Sequence, residues 1–240
     1  MHLTWNRAES SWGNGSLMSS LTSAPVAEVL EELFADAART QNAFLERMAQ
    51  RPPATDEASG GRPGDSREFF AMAKDVHLAV SRQTGTLLYI LARSRRARTI
   101  VEFGTSFGVS TICLAAALKD SDGDSLIGTE FEPGKVAGAR RVVAAAGLAD
   151  LVEIREGDAL ETLARDLPGS IDLVFLDGAK NLYLDVLRLL EPRLAADALV
   201  VADNASRSDG YLIHVRSSGA YLSIGADNDV EVSLKDSAFA

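Results

Sequence analysis

The sequence predicts an α/β fold: a doubly wound, mostly parallel sheet of seven strands with helices on both faces and accessory helices at its N-terminal side. Three observations predict it. From Thr99 onward, short β-rich runs alternate with helical patterns, which is how a chain builds parallel strands joined by covering helices. Before Thr99 the apolar residues recur at the helical period instead. The polar residues able to do chemistry fall at the ends of the β-rich runs, where doubly wound sheets bind their ligands. A length of 240 residues, with 46% hydrophobic and 24% charged side chains, suits one large core.

Residues 1–22 are polar and Gly/Ser-rich without a sustained period and read as a flexible tail, although both tryptophans, Trp5 and Trp12, fall in it. An indole there would find use docked on a partner subunit or over a substrate, because full exposure leaves much apolar area uncovered. Residues 23–240 read as a single domain. Ser23, with Pro25 soon after, signals a helix start, and Val26, Leu30, Leu33, Phe34, Ala37, Phe44, Leu45 and Met48 then mark one apolar face. The stretch 51–66, RPPATDEASGGRPGDS, has no apolar residue larger than alanine and reads as a loop. A second helical region, 67–92, completes the N-terminal helices, and 93–240 form the α/β core.

Within that core the strand-like runs are TIVEF (99–103), SLIGTE (125–130), LVEIRE (151–156), IDLVFLD (171–177) and ALVVAD (198–203). The helical patterns between them are VSTICLAAAL, PGKVAGARRVVAAAG, ALETLARDL and LYLDVLRLLEPRL. After Asn204 the rhythm breaks. YLSI (221–224) and VEVSL (230–234) then read as a hairpin around GADND (225–229), antiparallel to the rest.

Composition excludes several function classes. A net charge of −10 argues against nucleic acid, whose phosphates demand clustered Lys and Arg. The one dense basic cluster, RSRRAR at 93–98, reads as a solvated connector. No apolar run approaches a membrane span and no secretory signal pattern opens the chain, so no membrane partner and a cytoplasmic location are expected. The single cysteine, Cys113, cannot form an intrachain disulfide and reads as a small core residue. His2, His77 and His214 show no metal-ligand spacing. G-x-S-x-G and Walker A motifs are both missing, which removes serine hydrolase and P-loop chemistry.

The first strand-like run leads into EFGTSFGVS (102–110), where Gly104 and Gly108 let the backbone turn sharply and approach a ligand at a helix N-terminus. It is not the G-x-G-x-x-G dinucleotide pattern. The second run ends in Glu130, an acid able to accept both hydroxyls of a ribose. The third ends in EGDA, where Asp158 and Ala159 can meet an adenine edge. Together these tips describe an adenosine-containing ligand, and Glu102 adds a carboxylate suited to the amine of an amino-acid tail. The fourth run ends in Asp177, with Lys180 and Tyr183 spaced D-x-x-K-x-x-Y, and the fifth in Asp203-Asn204. Two carboxylates and an amide oxygen form a hard, all-oxygen set suited to Mg²⁺. Alternatively, Asp203-Asn204 caps the turn that follows.

From about Lys74 onward the chain resembles the class I S-adenosylmethionine-dependent O-methyltransferases of the cation-dependent catechol and caffeoyl-CoA type. The resemblance rests on EFGTSFGVS, Glu130, GDA (157–159), FLDGAKNLY (175–183) and VADN (201–204), in the family's order and approximate spacing. It implies a Rossmann-like fold in which 23–240 is a methyltransferase domain. It further implies that Val80, Glu102, Gly104, Thr105 and Ser110 hold the methionine part of S-adenosylmethionine, that Glu130 holds the ribose, and that Asp158 and Ala159 hold the adenine. Asp177, also beside the cofactor, would bind Mg²⁺ or another divalent cation together with Asp203 and Asn204. Lys180 would be the general base and Asp177 its partner in catalysis. The acceptor would be a small hydroxylated molecule, catechol-like or a vicinal diol, and the chain would pair as a homodimer through its N-terminal helices.

Physical chemistry agrees with that implication. Chelation of a diol by Mg²⁺ favours the oxyanion and fixes its direction. Methyl transfer from a sulfonium then needs alignment and exclusion of water more than covalent help. Gly178 and Ala179 stand where the animal catechol enzyme carries bulky aromatic side chains, so the wall gripping a flat ring is expected to be missing. Three other readings compete: a nicotinamide-dependent oxidoreductase on the same sheet, a metal-independent methyltransferase, and a non-catalytic adenosyl-ligand binder.

Overall fold

The computed structural model describes residues 19–50 and 72–236. Seven strands form one sheet: β1 (Thr99–Phe103), β2 (Ser125–Glu130), β3 (Val152–Glu156), β4 (Ile171–Leu176), β5 (Leu194–Ala202), β6 (Tyr221–Ala226) and β7 (Val230–Lys235). Their spatial order is β3-β2-β1-β4-β5-β7-β6. The first five are mutually parallel, whereas β7 lies antiparallel to β5 and pairs with β6 in a hairpin. The doubly wound, seven-stranded sheet expected from the sequence is therefore the fold. No helix among the described residues is long and apolar enough to cross a membrane.

The helices are α1 (Val26–Ala49), α2 (Arg82–Arg95), α3 (Val109–Asp120), α4 (Pro133–Ala145), α5 (Ala159–Thr162), α6 (Tyr183–Leu190) and α7 (Asp209–Ser217). Because successive strand residues point to opposite faces, the sheet divides its apolar side chains between two cores. Ile100, Leu126, Leu173 and Val201 pack with α1 through α4, while Val101, Ile127, Val174 and Val200 pack with α5 through α7. Helix α3 is buried over ten of its residues, so it has no polar face to present. Cys113 sits in it, 3.0 Å from where a Cβ on Gly85 of α2 would stand, and burial pushes its thiol up to about 12. It is the small core residue the sequence suggested.

Several boundaries differ from expectation: α2 runs on to Arg95, into the stretch read as a connector, α5 covers only the first turn of the ALETLARDL pattern, and β6 extends to Ala226. Residues 19–22 are a packed turn rather than tail: Ser20 binds the Asp120 carboxylate through its N–H at 2.9 Å and its hydroxyl at 2.5 Å, and Tyr89 donates to the same group at 2.6 Å. Trp5, Trp12 and the 51–66 loop lie outside the described residues. The first helix starts at Val26, and the Ser23 hydroxyl donates to the Ser19 carbonyl instead of capping it. Within the second helical region, residues 73–81 are turn and extended chain, and 67–71 lie outside the described residues. Side chains of α1 take up backbone groups of that stretch: the Thr40 hydroxyl accepts from His77 N at 3.1 Å and the Gln41 amide donates to His77 O at 2.7 Å. Ser81 then caps α2, accepting from Thr84 N at 3.0 Å. Finally, β5 begins at Leu194, four residues before the expected run, with a register shift opposite Ile171–Leu173 that lets exposed Ala196 and Asp197 bulge outward. In the basic connector, Arg95 pairs with Asp197 and Arg98 with Asp124 across exposed surface.

Candidate functional site

The carboxyl ends of β1 through β5 open onto a cavity of about 750 Å³, and a small annex of about 10 Å³ adjoins it beneath Val80 and the glycine turn. Strand order brings the tips together. β1 lies between β2 and β4, so its C-terminal turn occupies the point where the sheet's winding reverses.

At that turn Gly104 adopts φ +99°, and a Cβ there would stand 2.6 Å from Gly178 N. Only glycine permits this approach of two backbones. Gly104 N and Thr105 N both donate to Thr129 O, at 3.1 and 3.0 Å, which ties the turn to β2. Gly108, φ +93°, starts α3. The Glu130 carboxylate accepts from Ser106 N at 2.8 Å and Glu132 N at 2.9 Å, one bond per oxygen, leaving each oxygen a lone pair for ligand hydroxyls. Asp158 caps α5 by accepting from Leu160 N at 2.9 Å and, with Ala159, lines the cavity beside Glu130.

Opposite these groups, β4 and β5 run in register from Leu173↔Leu199 to Leu176↔Ala202, which sets Asp203 across from Asp177 one step beyond the strands. Asp177 N donates to Phe103 O at 2.8 Å and Asp203 N to Leu176 O at 2.9 Å, so both backbones are fixed. Burial pushes the Asp177 carboxyl upward against the pull of Lys180. Burial, then the charge of Asp177, pushes Asp203 up to about 7. Asn204 takes the left-handed conformation, φ 49°, and makes no side-chain capping bond to the turn that follows. Its amide is thus not spent as the cap that the alternative reading assigned to it. The buried Lys180 ammonium donates to Asp177 Oδ1 at 2.9 Å and to the Tyr183 hydroxyl at 2.6 Å, and that hydroxyl donates to Asp203 O at 2.8 Å. Two acids, an amide and an ammonium therefore form one rigid cluster whose crowded negative charge suits a hard divalent cation.

Of the residues singled out in the sequence, Val80, Gly104, Thr105, Ser110, Glu130, Asp158, Ala159, Asp177, Lys180, Asp203 and Asn204 line the two cavities. Glu102 does not. It is fully buried behind the turn, accepting from Thr105 at 3.0 Å, Ser110 at 2.6 Å and Thr111 at 2.5 Å. Burial pushes it up to about 7 even though three hydroxyls favour its charged form. Its place in the structure is to fix the glycine turn to α3.

Sequence reasoning missed other lining residues. Phe103, at the tip of β1, lies under Gly178, where a Cβ would stand 2.4 Å from its ring. Gly178 covers the ring, which contributes a buried aromatic floor to the cavity at the neighbouring strand. Phe131, 64% exposed beside Glu130, offers an apolar face to the adenine side. Lys135, in the first turn of α4, also lines the cavity. The signal for Phe131 was its place next to the ribose acid; nothing in the linear pattern distinguished Phe103 or Lys135 from core.

Comparison with known proteins agrees with this layout. A family model described as a methyltransferase domain matches residues 101–205, which run from β1 past Asp203-Asn204. The chain is 36% identical over 135 residues to the catechol O-methyltransferase of Mycobacterium tuberculosis, an overlap of 56% of this chain and 60% of that protein. It is 30% identical over 156 residues to the catechol O-methyltransferase of Sus scrofa, covering 62% of this chain and 83% of that one. Against the relatives it matches at 36%, the chain spans only about three fifths of their length. Among solved structures, the O-methyltransferase TomG from Streptomyces achromogenes, involved in tomaymycin synthesis and solved in complex with SAM, superposes with a TM-score of 0.59 at 28% identity, over 84% of this chain and 99% of that one.

Proposed function

We infer a function from one premise: the chain belongs to the class I S-adenosylmethionine-dependent O-methyltransferases of the catechol and caffeoyl-CoA type. We propose that it moves the methyl group of S-adenosylmethionine onto a hydroxyl of a small acceptor, catechol-like or a vicinal diol, with a divalent cation, Mg²⁺, in the site. The observation that carries this reading is that Gly104, Glu130 and Asp158, suited to an adenosyl group, line one cavity with Asp177, Asp203, Asn204 and Lys180.

Asp177, Asp203 and Asn204 would hold the cation, which fits because two buried carboxylates pushed upward in pKa gain most from a neutralising charge. When bound, Mg²⁺ supplies Lewis-acid stabilisation of an ionised acceptor hydroxyl. The acceptor oxygen attacks the methyl carbon, the carbon–sulfur bond breaks, and the sulfonium leaves as a neutral thioether. The hydroxyl proton goes to Lys180, which must enter this step as the neutral amine and leaves it as the ammonium; Asp177 and Tyr183 hold it at fixed distance. Phe103, buried under Gly178, backs the acceptor side of the cavity with apolar surface that keeps water out. Pairing as a homodimer through α1 is supported by Leu45, left 63% exposed on that helix, and a cytoplasmic location completes the proposal.

Thermal unfolding tests it. S-adenosylmethionine is expected to raise the melting temperature of the wild type and of Asp203→Ala alike, while NAD does not. Asp203→Ala is expected to lose transfer by at least about a hundredfold, the scale of a lost preorganised electrostatic contact. Stabilisation by NAD and not by S-adenosylmethionine would return the oxidoreductase reading.

A further inference from the structure

A buried lysine and two buried polar atoms without partners lie on or next to one phenyl ring, Phe107, at the wall of the cavity. Lys135 is 4% exposed, and among the described residues its ammonium makes no hydrogen bond or ion pair; its closest aromatic neighbour is Phe107, 5.8 Å from Nζ to the ring centre. On the same ring the His77 imidazole stacks at 3.9 Å with planes 7° apart, and its Nδ1 is buried without a partner. Ser106, next to Phe107, has an equally orphaned hydroxyl. Buried polar atoms in native proteins are almost always satisfied, so two orphaned atoms and an unpaired ammonium around one ring ask for a ligand.

The chemistry of the missing partner follows from these groups. Lys135 stands in the first turn of α4, where the helix dipole disfavours a cation. Burial lowers its pKa, while Glu130, Glu132, Asp177 and Asp75 oppose that shift from a distance without touching it. The ammonium can only donate, while the Ser106 hydroxyl and the His77 Nδ1 can each donate to a ligand, so the group that best suits all three is an anion. The hydroxyls of Thr105 and Ser110, in the annex wall, are already turned to Glu102. They leave the amino-acid end of a cofactor short of donors. Ser106 also binds Glu130 through its backbone N–H and lines both cavities, the annex together with His77 and the large cavity together with Lys135, which puts the cluster on the Glu130 side of the site.

Resting on the functional reading above, we propose that Lys135, with Ser106 and His77, binds the carboxylate of the cofactor's amino-acid tail, the one negatively charged group that S-adenosylmethionine carries. Lys135 is thus a cofactor-binding residue supplied by α4, outside the glycine turn.

Calorimetric titration with two nucleosides tests this: S-adenosylhomocysteine, which has the tail, and 5′-methylthioadenosine, which lacks it. Lys135→Met keeps the aliphatic stem. It is expected to weaken S-adenosylhomocysteine at least about tenfold, as loss of a charge-assisted hydrogen bond does, and to leave 5′-methylthioadenosine within about twofold. Lys135→Arg is expected to retain most of the tailed ligand's affinity, which separates charge from packing. Equal weakening of both nucleosides overturns the assignment, as does an unchanged S-adenosylhomocysteine affinity with a raised KM for an acidic acceptor. A wild type that binds neither nucleoside overturns the functional reading along with it, whereas equal loss in the variant alone leaves that reading standing.

Discussion

Glu102 shows how a single buried residue can shape the site, through the hydroxyls of Thr105, Ser110 and Thr111. Its acid is held behind the glycine turn at a pKa of about 7, above the ordinary 4.5 of an unfolded chain. The folded state therefore keeps the proton more tightly, and the stability this contributes is full below about pH 4.5 and lost as pH rises to about 7. The stability gap between wild type and Glu102→Gln is expected to shift against the wild type across that window by on the order of 3 kcal/mol, read by urea unfolding at several pH values. A flat difference would mean that Glu102 is charged throughout. Gly104 belongs to the same scale. Gly104→Ala must place a Cβ 2.6 Å from Gly178 N at φ +99°, so a loss of about 2 kcal/mol or more and of cofactor binding is expected from thermal unfolding and titration. These residues were legible because acids and glycines at strand ends are conspicuous. Lys135, His77 and Ser106 were not, since their meeting depends on folding 77, 106 and 135 around Phe107, and no local spacing encodes it.

Among the elements, α1 does more than cover the sheet. Thr40 and Gln41 hold the backbone of His77, and Phe44 packs on Ala73 and Val76, so the extended segment leading to Val80 is shaped from outside itself. That explains why periodicity alone extended the second helix too far toward its N-terminus: the residues before Ser81 are satisfied by side chains of another element, which a local pattern cannot see. Gln41→Leu with Thr40→Val is expected to cost about 1–3 kcal/mol of stability and to weaken S-adenosylhomocysteine severalfold, while the far-UV signal of the sheet and helices stays intact. An unchanged affinity would show that the segment holds its shape unaided. The strands, by contrast, were legible to within a residue or two, because most apolar runs are bounded by polar tips; β5 was read short where its bulge interrupts the pattern, and β6 where Gly225 and Ala226, expected in the turn, continue the ladder with β7.

In the whole molecule, strand order converts residues far apart in the chain into one site. Placing β1 between β2 and β4 brings Gly104 against Gly178, and placing β5 beyond β4 aligns Asp203 with Asp177. In the acidic half, burial raises the pKa of both Asp177 and Asp203, and the charge of Asp177 adds to the rise at Asp203. Mg²⁺ is accordingly expected to raise the melting temperature of the wild type and to do so far less in Asp203→Asn, measured by differential scanning calorimetry. The most direct test of the account is transfer of a labelled methyl group from S-adenosylmethionine to a panel of catechols and other vicinal diols, with Mg²⁺ and again in excess EDTA. The account predicts methylated product with at least one diol, abolished by EDTA and restored by added Mg²⁺. Transfer that proceeds undiminished in EDTA would contradict the metal site, and no transfer to any diol would contradict the proposed function.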